Sequence, residues 1–299
     1  MVLLKLKTWF NGEIIEYEDA KVHISVHALH YGTGCIEGIH SYKTEKGIGI
    51  FRLKEHVERF FKSAFALGMK LDFSKDEIIK AVKDLVRLNK LEDSYIRPIA
   101  FYGQSDLEVY PKNIKVNIAI ISVPSEKKEI KGIKVKTSKF SRINPEALVY
   151  GAKISGFYAN SIMAMHEARQ QGYDEALLLD NKGKVAEGPA QNIFIIKNNK
   201  ILTPNSKSIL PGVTRDSMIE IGKELGFEVI EKEIELEELK EADEAFYTGT
   251  LSEIVPIIKV DDTAIGDGRI GKVTEKLMKK FGEVVKGKVE KFSGWVDRV

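Results

Sequence analysis

One cysteine in 299 residues, Cys35, has nothing within the chain to pair with, so an internal disulfide framework and a cysteine-cluster metal site are both excluded. The six histidines are scattered without HExxH-type spacing, and metal chemistry is not expected. Long apolar runs are missing too. A stretch such as Val116 to Val123 is interrupted by Asn117 and falls far short of the roughly 20 residues that a spanning helix needs. Neither sign of charge dominates: Lys+Arg 46 against Asp+Glu 44 leaves a net charge of +2, so nothing calls for DNA, RNA or a membrane as partner. The opening Met1-Val2-Leu3-Leu4-Lys5-Leu6-Lys7 is brief and runs at once into polar turn residues, unlike a secretory signal, and a cytoplasmic location is expected.

What remains is ordinary globular composition, with 43% hydrophobic and 30% charged residues. The length favours two domains, at about 100 to 200 residues each. Frequent Lys, Glu and Ile with few Gln suit a thermophile.

Strand-like runs open the chain: Leu4 to Trp9, a turn at Asn11-Gly12, then Glu13 to Tyr17, together a hairpin. From Leu53 the apolar residues Val57, Phe60, Phe61, Ala64 and Leu67 recur at helical spacing, and Gly68 is a natural stop. A second helix starts at Ser74, where Glu77 completes a capping box, and runs through Ile78, Ile79, Val82, Leu85 and Val86. A strand follows over Lys115 to Val123, and the polar Pro124-Ser125-Glu126-Lys127-Lys128-Glu129 marks a domain boundary. We expect a smaller N-terminal domain over 1–123, an interdomain loop over 124–133 and a larger C-terminal domain over 134–299. In the latter, short apolar runs (Ala176 to Leu179, Ile193 to Ile196, Ala245 to Tyr247, Ile254 to Ile258) alternate with helical patterns at Ile154 to Gln170, Arg215 to Leu225 and Val273 to Val285. Both halves read as mixed α and β.

Four segments of the second half carry chemistry. They are Gly151-Ala152-Lys153-Ile154-Ser155-Gly156-Phe157-Tyr158, Glu187-Gly188-Pro189-Ala190-Gln191-Asn192, Leu210-Pro211-Gly212-Val213-Thr214-Arg215-Asp216 and Thr248-Gly249-Thr250-Leu251-Ser252-Glu253. Alone, Lys153 reads as a solvated surface lysine. The small residues around it leave room for a bulky planar group beside its amine, the setting of a nucleophilic lysine. The third segment leads into the pattern Met218, Ile219, Ile221, Leu225 with Thr214 placed as N-cap, and a helix start offers unpaired N–H donors and a positive dipole end to a phosphate. Glu187, in a turn before a strand, is either a surface carboxylate or the charge partner of a protonated pyridine nitrogen.

Taken together, these segments resemble the class IV aminotransferases, the fold type IV enzymes of pyridoxal 5'-phosphate (PLP), and most closely their branched-chain amino acid aminotransferases. The resemblance extends through the first half in Trp9-Phe10-Asn11-Gly12, Asp19-Ala20-Lys21-Val22-His23, His27-Ala28-Leu29-His30-Tyr31-Gly32, Glu37-Gly38-Ile39, Glu55-His56-Val57-Glu58-Arg59 and Tyr95-Ile96-Arg97-Pro98. It implies an α+β, two-domain fold of the D-amino acid aminotransferase-like type. It implies PLP as cofactor, carried by Lys153, with Glu187 facing the pyridine nitrogen and Tyr158 bonding the phenolic oxygen. Arg59 would clamp the phosphate, with Gly212, Val213, Thr214, Gly249 and Thr250 completing the cofactor site; without the resemblance, Arg59 reads as a surface ion pair with Glu55. Tyr31, Ile36, Gly38, Tyr95, Arg97 and Val109 would line the substrate side, and Thr250 and Leu251 would meet the substrate carboxylate. The implied reaction is ping-pong transamination of L-leucine, L-isoleucine or L-valine with 2-oxoglutarate through pyridoxamine phosphate, as in branched-chain amino acid biosynthesis, by a homodimer or a hexamer of three dimers with Tyr31 and Val109 reaching the neighbouring subunit.

Three positions depart from that pattern. The usual Pro-Trp-Gly-x-Tyr segment is replaced by Pro124-Ser125-Glu126-Lys127-Lys128, Gly-Thr-Ala-Ala-Glu appears as Gly249-Thr250-Leu251-Ser252-Glu253, and the usual Arg is His40. Each touches side-chain specificity and leaves the cofactor residues intact, so D-amino acid or R-amine transamination on the same fold is the alternative. A PLP-binding protein without turnover is the more distant one.

Overall fold

A computed structural model of the protein describes residues 6–126, 131–147 and 149–299. Leu4 and Lys5 of the expected first strand and residues 127–130 of the expected interdomain loop lie outside them. The chain divides into two compact units, Met1–Lys127 with Gly151–Phe157 and Glu283–Val299, and Lys128–Tyr150 with Tyr158–Gly282. Sequence reading drew contiguous domains. In the structure the Lys153 segment and the last residues group with the first unit, through backbone pairing that no local pattern announces: Ile36 N donates to Lys153 O at 3.0 Å, and Val296–Arg298 pairs with residues 49–51.

The first unit is an antiparallel sheet with helices on it. Its strands are β1 (Lys7–Phe10), β2 (Glu13–Glu16), β3 (Gly34–Ile36), β4 (Ile39–Thr44), β5 (Gly47–Phe51), β6 (Ser94–Tyr102) and β7 (Val116–Pro124), and its helices are α1 (His27–Tyr31), α2 (Leu53–Ala66) and α3 (Lys75–Asn89). The chain's last strand, β17 (Val296–Arg298), joins the edge, giving the order β17-β5-β4-β6-β7-β1-β2 with β3 on β6. The hairpin turn holds Asn11 and Gly12 at φ 50 and 97, the left-handed pair that a two-residue hairpin requires. Leu53, Val57, Phe60 and Ala64 sit one helical turn apart and are at most 1% exposed, so α2 lays a single apolar stripe against Ile39, Ile50 and Ile96 of the sheet. The capping box is formed: Ser74 Oγ accepts from Glu77 N at 3.2 Å and Ser74 N donates to Glu77 Oε2 at 2.7 Å.

The second unit holds β8 (Ile133–Thr137), β9 (Glu175–Leu179), β10 (Val185–Glu187), β11 (Asn192–Lys197), β12 (Lys200–Pro204), β13 (Val229–Lys232), β14 (Glu244–Gly249), β15 (Glu253–Val260) and β16 (Thr263–Ala264), with α4 (Tyr158–Gln170), α5 (Val213–Glu224), α6 (Leu236–Lys240) and the start of α7 (Lys272–Val285). The sheet runs β10-β9-β8-β15-β14-β11, and β10 pairs with β11 as well, so it closes on itself. Closure leaves those six strands without a free edge. Val135, Leu177, Val185, Ile193 and Tyr247 form one buried cluster, while Phe194 and Phe246, cross-strand partners, stack at 5.1 Å elsewhere in the sheet.

Two expectations are corrected here. Helix α4 begins at Tyr158, four residues after Ile154, because Ile154 is taken up in a β-bridge with Cys35 and Ser155–Phe157 form a 3-10 turn. Helix α5 is capped by Gly212, whose carbonyl accepts from Asp216 N at 2.9 Å, so Thr214 lies inside the first turn.

Candidate active site

In the first unit, β4 and β6 put a polar face on the sheet. His40 and Tyr95 are directly opposed, and the period of two along each strand places Gly38 and Arg97 on that same face. Arg97 Nη2 donates to the Tyr95 hydroxyl at 2.6 Å while its guanidinium lies 5.2 Å over the Tyr95 ring. A methyl group at Gly38 would collide with the Tyr95 hydroxyl, which is why glycine is needed there. His40 Nε2 is 2.8 Å from Ser125 Oγ, and burial depresses the imidazole pKa from 6.5 to about 4.

Behind this face sits a fully buried carboxylate. Glu37 accepts from Arg59 Nε at 2.6 Å and Nη2 at 2.9 Å, lies 2.8 Å from His56 Nδ1, and accepts from Gly38 N at 3.2 Å. Burial pushes the Glu37 pKa up, but the Arg59 charge and the hydrogen bonds from Arg59 and His56 more than offset it and hold the carboxyl well below the usual range. His56 is held low by burial. The partner expected for Arg59 in isolation, Glu55, accepts instead from Arg52 Nε at 2.7 Å. Helix α2 brings His56 and Arg59 to one side by their i, i+3 spacing, and one turn on, Ser63 Oγ accepts from Lys153 N at 2.9 Å while donating to Arg59 O at 2.7 Å. Lys153 is half-buried, next to the Ile154–Cys35 bridge.

Tyr31 and Val109 lie farther out. The Tyr31 hydroxyl donates to Leu107 O at 2.6 Å, and His27 Nε2 lies 3.0 and 3.1 Å from the Glu108 and Val109 carbonyls, which ties the two segments together. Ile36 ends β3, buried, opposite Ile99.

In the second unit, Glu187 closes the short strand β10 and is buried, which disposes of a surface role. Its Oε1 accepts from Arg142 Nε at 2.6 Å; its Oε2 accepts from Asn192 Nδ2 at 3.0 Å and from Leu210 N at 3.1 Å. Asn192 Nδ2 also donates to Leu210 O at 2.8 Å, and a side chain at Gly212 would collide with Asn192 Oδ1. One amide therefore brings Glu187 beside the 210–212 loop and the first turn of α5, where Val213 and Thr214 stand at the positive end of the helix. The 249–251 turn is attached to the same strands, since Asn192 opposes Thr248 and Thr248 Oγ1 donates to Glu253 O at 2.9 Å. Glu253, at φ 53, absorbs the reversal; Thr250 is half-buried and Leu251 exposed. Tyr158 starts α4, half-buried.

The residues fit PLP. Each unit carries groups of a kind that this cofactor takes: in the first, Lys153 supplies an amine and Arg59 a cation suited to a phosphate; in the second, the α5 start suits an anion and Glu187 a protonated ring nitrogen. Arg97 Nε, Arg142 Nη1 and Ser155 Oγ are buried without a hydrogen-bond partner among the described residues, donors of the kind that an acceptor-rich ligand satisfies. No group of three or more metal-ligating side chains occurs among the described residues, and no helix there is long and apolar enough to cross a membrane.

Glu37, His56, Arg142 and Asn192 make these contacts without standing among the site residues expected from the sequence. The pattern Glu55-His56-Val57-Glu58-Arg59 carried a signal for His56, because a helix turns positions 56 and 59 to one side. Nothing local marks Arg142, which is 45 residues from its partner.

Known proteins resemble this chain closely. The amino-transferase class IV family model matches residues 34–260. The branched-chain-amino-acid aminotransferase of Pseudomonas aeruginosa is 43% identical, over 96% of this chain and 95% of that protein. That of Escherichia coli K12 is 40% identical, over 97% and 96%. Among solved structures, the branched-chain amino acid aminotransferase from Thermobaculum terrenum in its PLP form superposes with a TM-score of 0.94 at 34% identity, covering 99% of this chain and 98% of that one. The branched-chain aminotransferase from the thermophilic archaeon Thermoproteus uzoniensis, with norvaline, gives 0.93 at 37%, covering 98% of both.

Proposed function

Because the chain belongs to the class IV aminotransferases, we propose that it transfers the amino group of L-leucine, L-isoleucine or L-valine to 2-oxoglutarate with PLP as cofactor. The observation that carries the substrate class is full-length identity of 40–43% to branched-chain-amino-acid aminotransferases. Bound PLP supplies an electron sink for the negative charge that develops at the substrate α-carbon.

The chain's own residues do the rest. Lys153 would hold the cofactor through its amine until the substrate's amino group displaces it, and the freed amine would then take the proton from the substrate α-carbon as general base. Glu187 bonds the protonated ring nitrogen, a role its burial and its three donors support. Tyr158 bonds the phenolic oxygen. Arg59 would attract the phosphate by its charge, and Gly212, Val213, Thr214, Gly249 and Thr250 would complete the site with backbone donors. Tyr31, Ile36, Gly38, Tyr95, Arg97 and Val109 border the substrate, with Thr250 and Leu251 at its carboxylate. The Arg97–Tyr95 pair supports acceptance of both substrate types, since its single cation suits the second carboxylate of 2-oxoglutarate while the Tyr95 ring offers an apolar wall.

A homodimer, alone or in threes as a hexamer, belongs to this reading. It is supported by the apolar residues Val22, Ile24, Leu29, Leu107, Val109 and Tyr110, all exposed on the tied 22–31 and 107–110 segments. A cytoplasmic location goes with amino-acid substrates.

The test is a half-reaction screen on protein loaded with PLP, following the cofactor's visible absorbance as single donors are added. Fast loss with L-leucine, L-isoleucine and L-valine is expected. Preference for D-alanine or R-1-phenylethylamine would overturn the substrate class, and no response to any donor would overturn transamination.

A further inference from the structure

Arg142 lies outside regular structure, between β8 and the 3-10 turn Pro145–Ala147, in a segment anchored by Arg142 N donating to Leu179 O at 2.7 Å. Its side chain is 13% exposed and reaches Glu187, 5% exposed, at 2.6 Å. Most buried donors find a partner, because a buried unpaired N–H costs about 1–3 kcal/mol. This one leaves Nη1 buried with no hydrogen-bond partner among the described residues. The pair also spends only Nε on the carboxylate, although arginine can offer a two-pronged fork. The contact is thus a single directed bond from Nε to Oε1.

We infer that Arg142 is the positioning residue for Glu187: its Nε–H fixes Oε1, Asn192 and Leu210 fix Oε2, and its permanent charge keeps the carboxylate ionised for a cation yet to arrive. This rests on the reading that Glu187 bonds the protonated ring nitrogen of PLP. An isolated buried carboxylate tends to take up a proton and cease to be a charge partner. Arginine prevents that because its guanidinium does not deprotonate in proteins. All three of these donors come from the chain itself, so the protein alone orients the carboxylate. Arg142 thus acts through Glu187.

The experiment uses full-length Arg142→Gln, Arg142→Lys and Glu187→Gln proteins, stripped of cofactor and reloaded with PLP labelled with nitrogen-15 in the ring. Two quantities are read: the ring-nitrogen chemical shift and the L-leucine half-reaction, resolved into its maximal rate and its half-saturating concentration. In Arg142→Gln we expect the signal to move towards the deprotonated position and the maximal rate to fall about 10- to 100-fold, on the scale of the loss when the hydrogen-bond partner of a metal ligand is removed, with half-saturation little changed. Arg142→Lys, which keeps the charge and loses the directed Nε–H, is expected to fall between that variant and the parent in both readouts. A parental signal and rate in Arg142→Gln overturn the inference, and so does an Arg142→Lys protein no better than Arg142→Gln. If Arg142→Gln does not fold, the lysine variant decides alone: a displaced signal supports the role and an unmoved one overturns it. Glu187→Gln separates the two layers, since a parental signal and rate in that protein overturn the reading of Glu187 itself.

Discussion

Glu37 gathers several of the first unit's polar contacts in one carboxylate. A carboxylate with no exposure, bonded to Arg59, His56 and Gly38 N, holds two proposed ligand-binding residues by one group. Breaking such a pair by removing one partner strands the other charge, which costs about 3–5 kcal/mol. Glu37→Ala is therefore expected to lower the unfolding free energy by that amount, read from urea unfolding, and a change below about 1 kcal/mol would show that the charge is accommodated by water. Acid acts in the same place. The imidazole of His40 falls from 6.5 to about 4 on folding, so between those pH values the unfolded chain takes up a proton that the folded chain refuses, and stability is lost as pH falls. A shift of that size is worth roughly 3 kcal/mol at most. His56, also depressed by burial, acts in the same direction, and the depressed Glu37 adds its own loss below the ordinary carboxylate range. Chemical unfolding measured from pH 7 down to pH 4 should show the decline, and His40→Gln should flatten it; an unchanged slope would assign the effect elsewhere.

Elements were legible where one periodicity ruled. The apolar stripe gives α2 almost to the residue and the Ser74–Glu77 box gives the start of α3, whose end lies three residues beyond the pattern, because amphipathic spacing and capping are local properties. The start of α4 was not legible. Its helical pattern continues back to Ile154, but pairing with Cys35 takes that residue away, a contact across more than a hundred positions. The site divides along the same line. Lys153, Glu187 and Arg59 stand in recognisable strings, whereas Arg142 is marked only by where its chain ends up. In the closed sheet of the second unit, Phe194 and Phe246 are cross-strand partners, both fully buried and stacked at 5°. Such a pair adds about 0.5–1.5 kcal/mol to its burial. Phe246→Ala is expected to destabilise by about 3–5 kcal/mol, the range for deleting a buried aromatic ring, read as a lowered denaturation midpoint; a loss under about 1 kcal/mol would mean that the ring is not tightly packed.

At the scale of the molecule, the exposed 22–31 and 107–110 segments bear on association. Leu29→Lys is expected to shift the protein from dimer or hexamer to monomer in light scattering, while an unchanged mass would remove that face from the interface. The proposed homodimer stands or falls with such measurements, independently of the cofactor chemistry.

The strand β17 has a consequence in time. It pairs with β5, so the sheet that carries Gly38, Tyr95 and Arg97 takes one edge from residues 296–298 and its Lys153 segment from residues 151–157. A ribosome delivers the chain from the first residue onward. When Phe51 emerges, the strand that will cover it lies more than two hundred residues in the future, and Leu53 to Ala66 must wait on a sheet whose border is open. The second unit, read out almost entirely between those events, has all six strands of its ring in hand sooner. Nascent chains halted at successive lengths should gain protease resistance in residues 158–282 before the first unit acquires its own.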